Sequence, residues 1–530
     1  MLPRNRGRAP LLSTGLGGSE CGGGSYRSCN HGRVSSEEQK QADNRARPTT
    51  DEFRTFVADG WAPRRPGATA RSEAARYAAE RRTRVSEAFK GERLIVPAGG
   101  LKVRSNDTDY VFRPHSAFAH LTGLGGDREP DAVLMLEPLK DGGHEAILFF
   151  RPLAGRDTDE FFADTRYGEF WVGARPTIDD IETELGLTAR HVDEFADAAA
   201  KDAGEVTVRV VRDADRELTT QLDASRTTEG AQAATLAEAD DELAAFLSTL
   251  RLVKDEWEVE EMRKAVAATH VGFEAVIADL PQAIAAGRGE RWVEGVFGLH
   301  ARHQGNGIGY DSICAAGDHA TTLHWIKNTG DLREGDLILL DAGVEMDSLF
   351  TADITRTLPA SGTFTDAQRE IYDAVYAAQE AGLAAVKPGN KFSDVHSAAI
   401  RVIAEHLHRW GLLPEGVDVE GTLDKEHGQY HRRWMVHGTS HHLGIDVHDC
   451  ALATREQYMD AELRPGMVLT VEPGLYFKAD DLLVPEPFRG IGVRIEDDVL
   501  VTEDGFENLS AAMPRTSTDV EAWIAGVWNR

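Results

Sequence analysis

Beyond residue 50 the apolar positions fall into two alternating habits. The stretch 71–89, "RSEAARYAAERRTRVSEAF", has helical spacing. The short runs "ERLIVPAG", "YVFRP", "DAVLMLEP" and "HEAILFFRP" are apolar, rich in β-formers and bounded by turn residues, so they predict strands. "TIDDIETELG" predicts a further helix. Together these predict a mixed α/β domain over 70–230. A helical pattern over about 229–278 is broken at "LRLVKDEWE", so 231–255 reads as a helical linker. A second domain over 256–520 follows. It combines helices ("REIYDAVYAAQEAGLAAV", "FSDVHSAAIRVIAEHLHRWG") with strands joined by short links ("DLILLDAGVE", "TADITRTL", "MVLTVEPGLYF", "IGVRIEDDVLVT"), which is the α+β class with antiparallel pairing. Residues 1–50 have no apolar periodicity and predict a disordered tail.

The strands of the second domain contain misplaced polarity. In "LILLDAGVEMDSLFTADITRTL", period-two alternation puts Leu337, Leu339 and Asp341 on one face, and Thr351, Asp353 and Thr355 on one face. Antiparallel pairing lets both aspartates face one cavity. A buried carboxylate must be protonated, paired or bound to a cation. Glu472 in "MVLTVEPGLYF" and Glu496 in "GVRIEDDVLVT" repeat the pattern, and "MVHGTSHHLGIDVHD" adds His437, His441, His442 and His448. A lone acid in a strand usually faces solvent, and a lone histidine is usually structural. Here that explanation must hold separately for Asp341, Asp353, His441, Glu472 and Glu496. Oxygen-rich sites with one imidazole suit Mn²⁺, Fe²⁺, Co²⁺ or Zn²⁺.

Composition narrows the class. Acids outnumber bases 88 to 58, for a formal charge of −30, which opposes binding to phosphate backbones. No run of about 18 apolar residues predicts a membrane span. The 4 cysteines include no C-x-x-C pair, which suits a reducing, cytoplasmic compartment. The partners expected are small molecules or peptides, with no nucleic acid and no membrane.

The motifs "LLDAG…TADITRT", "HGTSHHLGIDVHD", "LTVEPGLY" and "GIGVRIEDD" resemble those of the pita-bread metallopeptidases, and most closely the Xaa-Pro aminopeptidases (aminopeptidase P). The likeness spans about 70–515, and "RSNDTDYVFRPHSAFAHLTGL" resembles that family's N-terminal domain. The resemblance implies a pita-bread catalytic domain behind a smaller mixed α/β domain. It implies two divalent cations, Mn²⁺ first, held by Asp341, Asp353, His441, Glu472 and Glu496, with Asp353 and Glu496 bridging. It implies active-site roles for His324, His437 and His448, and proton transfer by Glu472. Arg494 and Tyr476 match substrate-side positions; Arg251, Asp107 and Trp171 match more loosely, the last two at positions that in the family complete a neighbour's site. A homo-oligomer, dimer or tetramer, follows from that likeness. The spacing from Asp341 to Asp353 is one residue longer than is common in the family, which a longer hairpin loop absorbs.

The implied activity is metal-dependent release of the N-terminal residue from peptides with proline second. The alternative is prolidase, the dipeptidase that shares the five ligands; "HGTSH", with Ser440 before His441, favours the aminopeptidase. Methionine aminopeptidases lack the large first domain and the Arg-x-Glu pattern of Arg494 and Glu496. Creatinase-like relatives work without metal, and other relatives have lost the ligands and serve as binding modules. The complete ligand set argues against both.

Overall fold

The structure is a computed structural model, and it describes residues 50–63, 69–140, 142–202, 204–228 and 232–530. The tail expected over 1–50 lies, but for Thr50, outside them. The chain divides into two units, one of residues 1–63 with 154–173 and the other of residues 64–153 with 174–530. In the smaller unit the helices Asp51–Ala58, Asp159–Ala163 and Glu169–Val172 gather aromatic rings, with Phe53 edge-on to Phe162 and Trp61 edge-on to Phe161.

In the larger unit, residues 93–150 and 188–210 build a five-stranded sheet. Its order is Thr188–His191, His144–Phe150, Val133–Pro138, Arg93–Pro97, Val208–Val210. The inner pairs are antiparallel and the two edge strands join parallel. Helix Glu73–Ala88 occupies the stretch the apolar spacing indicates. Helix Ile178–Leu185 begins at a Thr177–Asp180 capping box and stops at left-handed Gly186. One expected strand is absent: "YVFRP" is extended loop, with Tyr110 and Val111 exposed and Phe112 buried. Pro114 has no N–H to give a ladder.

The helical stretch after residue 230 is two helices, Ala233–Leu250 and Glu256–Ala286, and the break falls at 251–255 as the pattern indicates. Asp255 caps the second through a box with Glu258. Helices Gly289–Gln304, Asp366–Ala385 and Phe392–Arg409 complete the helical layer. Against it lies a sheet of Ile354–Pro359, Leu337–Ala342 and Ile313–Ala316, all antiparallel. Asp341 pairs with Thr355, and Asp353 lies two residues before Thr355, so the two aspartates share the face the alternation predicts. The opposite face, with Ile338, Leu340 and Ile354, enters the main apolar core beside Phe273, Phe297 and Tyr372.

Two further ladders pair Val468–Val471 with Asp497–Val501 and Gly474–Phe477 with Ile491–Arg494. Of the four acids expected inside strands, Asp341 is in one, and the other three stand at strand breaks. Glu472 lies between the first and third of these strands, Glu496 between the fourth and the second, and Asp353 just before Ile354. Pro473 supplies one physical reason, since it cannot donate to a ladder. A break turns the carboxylate away from the pleat and toward the space between the sheets.

The connection between the aspartates is tightly packed. A Cβ on Gly343 would overlap the carbonyl oxygen of Ala352 in the returning strand, and backbone cannot yield as a side chain tip can. Gly343→Ala is expected to destabilise the protein by ~1–3 kcal/mol, the usual range for overpacking. Its thermal midpoint should fall and its activity with it; an unchanged midpoint would show that the hairpin has slack.

Candidate active site

Asp341, Asp353, Glu472, Glu496 and His441 line one cavity of about 500 Å³, together with His324, His437, His448, Tyr310 and Arg494. Leu323, Ile326 and Val447 form its apolar wall. Asp341, Asp353 and Glu496 are buried. One ligand-type atom from each of Asp353, His441 and Glu496 lies within 4.8 Å of the others.

The local bonding orients each group. The Tyr310 hydroxyl lies 2.7 Å from Asp341 Oδ1 and 2.5 Å from Asp353 Oδ1. A phenol has one hydrogen and can donate to only one of them. Thr355 Oγ1 donates to Glu496 Oε2 at 2.6 Å. The amide of Asp353 donates to Asp498 Oδ2 at 3.2 Å. His441 Nδ1 sits 3.2 Å from the His442 carbonyl oxygen, which fixes the hydrogen there. That leaves Nε2 facing Asp353 Oδ2 at 3.3 Å and Glu472 Oε1 at 3.8 Å.

A second chain of contacts runs along one wall. Arg494 contacts Asp341 through Nη2, donates from Nε to Thr355 Oγ1 at 3.1 Å, and donates from Nη1 to the Tyr476 hydroxyl at 3.0 Å. Tyr476 lies 2.7 Å from His437 Nε2, while His437 Nδ1 lies 2.6 Å from the Gly438 carbonyl oxygen. The hydrogens assign themselves: Nδ1 donates to the carbonyl, so Nε2 accepts from Tyr476. Burial, then the nearby Arg494 charge, pushes the His437 ring down to about 3, consistent with a neutral acceptor.

The electrostatics of the carboxylates are those of a cation site. Burial first, then repulsion from Asp353, Glu472 and Asp341, pushes the Glu496 carboxyl well up. Burial pushes Glu472 up to about 8 against the opposing charges of His441 and Arg494. Burial also raises Asp341, with Arg494 opposing. Asp353 goes the other way: burial works against it, but the His441 hydrogen bond and charge hold it low. Among the described residues, Arg494 meets Asp341, His441 meets Asp353 and Glu472, and His437 Nδ1 lies 3.6 Å from Glu472. An oxygen-rich set with one imidazole nitrogen fits divalent cations of the Mn²⁺ to Zn²⁺ group.

Residues 260–503 match metallopeptidase family M24, and residues 78–210 match the N-terminal domain of aminopeptidase P. The curated Xaa-Pro aminopeptidase 2 of Streptomyces coelicolor is 51% identical over 476 residues, covering 89% of this chain and 96% of that protein. The chain belongs to the Xaa-Pro aminopeptidase family. The Escherichia coli Xaa-Pro aminopeptidase is 33% identical over 85% of this chain and 98% of its own length. Among solved structures, E. coli aminopeptidase P with the inhibitor Pro-Leu superposes with a TM-score of 0.73 at 29% identity, covering 87% of this chain and all of that one. Proline aminopeptidase P II of Yersinia pestis gives 0.72 at 29% identity, covering 85% and 99%. The α+β, pita-bread class expected for the second half stands, as does the smaller mixed domain before it. This family of metallopeptidases is hydrolytic.

Other expected residues lie elsewhere. Asp107 is in the exposed turn between strands Val103–Ser105 and Thr108–Asp109 and is not among the residues lining the cavity. Trp171 belongs to the smaller unit, half exposed, its indole donating to the Phe162 carbonyl oxygen at 2.9 Å. Arg251 is buried; its Nε donates to Asp449 Oδ1 at 2.8 Å. Lys254 holds the other Asp449 oxygen at 3.3 Å. Arg251 thus braces the segment after His448, and it lines a neighbouring cavity of about 260 Å³ that shares His448 with the main one. Tyr310 escaped the sequence reading, because "GIGYDSI" has no periodicity that points its ring anywhere.

The Asp449 carboxyl is held well below the ordinary range; burial opposes this, and the charges of Arg251 and Lys254 overcome it. Removing one partner of a buried ion pair costs about 3–5 kcal/mol. Arg251→Met should lower the thermal midpoint accordingly. A depressed carboxylate contributes stability above its unfolded value near ~4, and loses it as the pH falls. The variant should therefore gain less stability than the wild type between acid and neutral pH. Parallel stability–pH curves would refute the assignment.

Proposed function

We propose that the protein removes the N-terminal residue from peptides with proline in second position, using two divalent cations, Mn²⁺ first among them. The observation that supports this is the convergence of Asp341, Asp353, His441, Glu472 and Glu496 on one cavity also lined by His437 and Arg494, which Tyr476, a residue of a neighbouring pocket, links by hydrogen bonds. These five residues would hold the cations. Bound cations of this kind lower the pKa of water toward neutrality and polarise a carbonyl.

The chain's own groups do the rest. Glu472 faces the cavity and takes up the proton that must reach the leaving prolyl nitrogen. His448 and His324 orient the scissile carbonyl and donate to the oxygen on which charge develops. An Xaa-Pro amide has no N–H and a rigid ring. The wall of His437 and Arg494, both held by Tyr476, receives that ring without asking for an amide hydrogen. Ser440 precedes His441 on the cavity lining. A homo-oligomer and a cytoplasmic location belong to the same reading. The location is supported by buried, free Cys314 and Cys450.

The test compares Xaa-Pro-Yaa tripeptides with Xaa-Pro dipeptides, with Mn²⁺ and after exhaustive chelation. Turnover of tripeptides that disappears on chelation and returns with Mn²⁺ is expected. Turnover of dipeptides alone would make the protein a prolidase, and activity in metal-free protein would remove the cation role.

Asp353→Ala is expected to lose bound metal and fall to near background. His437→Ala should keep two metals per chain while kcat/KM for Xaa-Pro substrates drops about 10²-fold, a usual loss for a group that positions substrate. Asp353→Ala with full metal content and ordinary turnover would contradict the ligand assignment.

A further inference from the structure

Glu290 is fully buried at the start of helix Gly289–Gln304, in the second helical position. Its carboxylate makes no ion pair with lysine or arginine among the described residues. It gathers the loop 316–330 instead. Oε1 accepts from the Ala316 amide at 2.9 Å and from His319 Nδ1 at 2.7 Å. Oε2 accepts from the Trp325 indole at 2.9 Å and from the Gly330 amide. The backbone N–H of Glu290 donates to the Gly330 carbonyl oxygen at 3.2 Å, so the same residue binds Gly330 from both sides. A Cβ on Gly330 would come within 2.8 Å of Glu290 Cδ and of His319 Nδ1, so the loop closes on the carboxylate only because residue 330 is glycine.

What this loop carries is His324, exposed at the mouth of the catalytic cavity, with Leu323 and Ile326 on its wall. Neighbouring Trp325 turns inward. Its ring stacks on His319, centroids 3.9 Å apart and planes at 26°, and its N–H ends on Glu290. His324 directly precedes Trp325 in a stretch of turns, so anchoring the Trp325 ring fixes the backbone from which the His324 side chain reaches the cavity. The helical dipole at the second helical position favours a carboxylate there.

We infer that Glu290 is the positioning residue for His324: it ties both ends of the loop and its one inward ring to the helix, and so sets where the His324 imidazole meets the substrate. The inference rests on the proposed role of His324 toward substrate. Glu290 itself touches no substrate.

The test is a double-mutant cycle with Glu290→Gln and His324→Ala, run on whichever peptide the wild type turns over, so the loss of the Xaa-Pro reading leaves it standing. Glu290→Gln should lower kcat/KM by about 10- to 100-fold, the range for small misplacements of a positioned group, with bound metal unchanged. In the His324→Ala background the same change should cost less than about 2-fold. Trp325→Phe, which keeps the ring and loses only the N–H, should show the same non-additivity, and it carries the test if Glu290→Gln fails to fold. Trypsin supplies a readout independent of activity: cleavage after exposed Lys327 should rise selectively in both loop variants. Equal losses in both backgrounds would make Glu290 a merely structural acid and overturn the inference. So would a wild-type rate in Glu290→Gln, or an unchanged cleavage pattern.

Discussion

Four carboxylates face one cavity inside a sheet whose other side is apolar core, and the rest of the second domain answers to that constraint. Their burial and mutual repulsion have to be offset where they stand, by groups too few to neutralise them. Arg494 meets Asp341, His441 meets Asp353, and Thr355 donates to Glu496. The remaining negative charge makes the cavity suited to divalent cations. Asp341 reaches the cavity from within a regular strand, and Glu472, Glu496 and Asp353 reach it from strand breaks.

Buried ion pairs frame the cavity. Arg356, fully buried, donates to Asp497 at 2.6 Å and to the Glu496 carbonyl oxygen at 2.6 Å, so it grips the backbone of a cavity glutamate from the core side. Arg251 and Lys254 grip Asp449 next to His448. From the first domain, Arg113 reaches Glu345 at 2.9 Å and the Ile445 carbonyl oxygen at 2.6 Å, and Ser116 reaches Asp446. Buried pairs of this type add little net stability, but losing one partner is expensive. Their effect is to leave the histidine segment few alternative positions. The loop of His324 is held in the same way by one unaccompanied carboxylate, Glu290.

The sequence by itself determined the two-domain order, most strands and helices, and the face on which each aspartate points. Alternation is a local property: Asp353 and Thr355 share a face by parity, and the observed register, which pairs Asp341 with Thr355, puts Asp341 on that face too. The combined motifs led to the family. Other features were decided only by tertiary structure. "YVFRP" has strand composition but no partner strand, and composition cannot supply one. Glu472 and Glu496 looked like strand residues because their neighbours are apolar; only packing of two ladders against a third sheet shows that they sit in breaks. Tyr310 reaches Asp341 and Asp353 across 31 and 43 residues, Arg251 reaches Asp449 across 198, and Glu290 reaches Trp325 across 35. Side chains so far apart in sequence meet only after the elements that carry them have packed, and no local period records such a meeting.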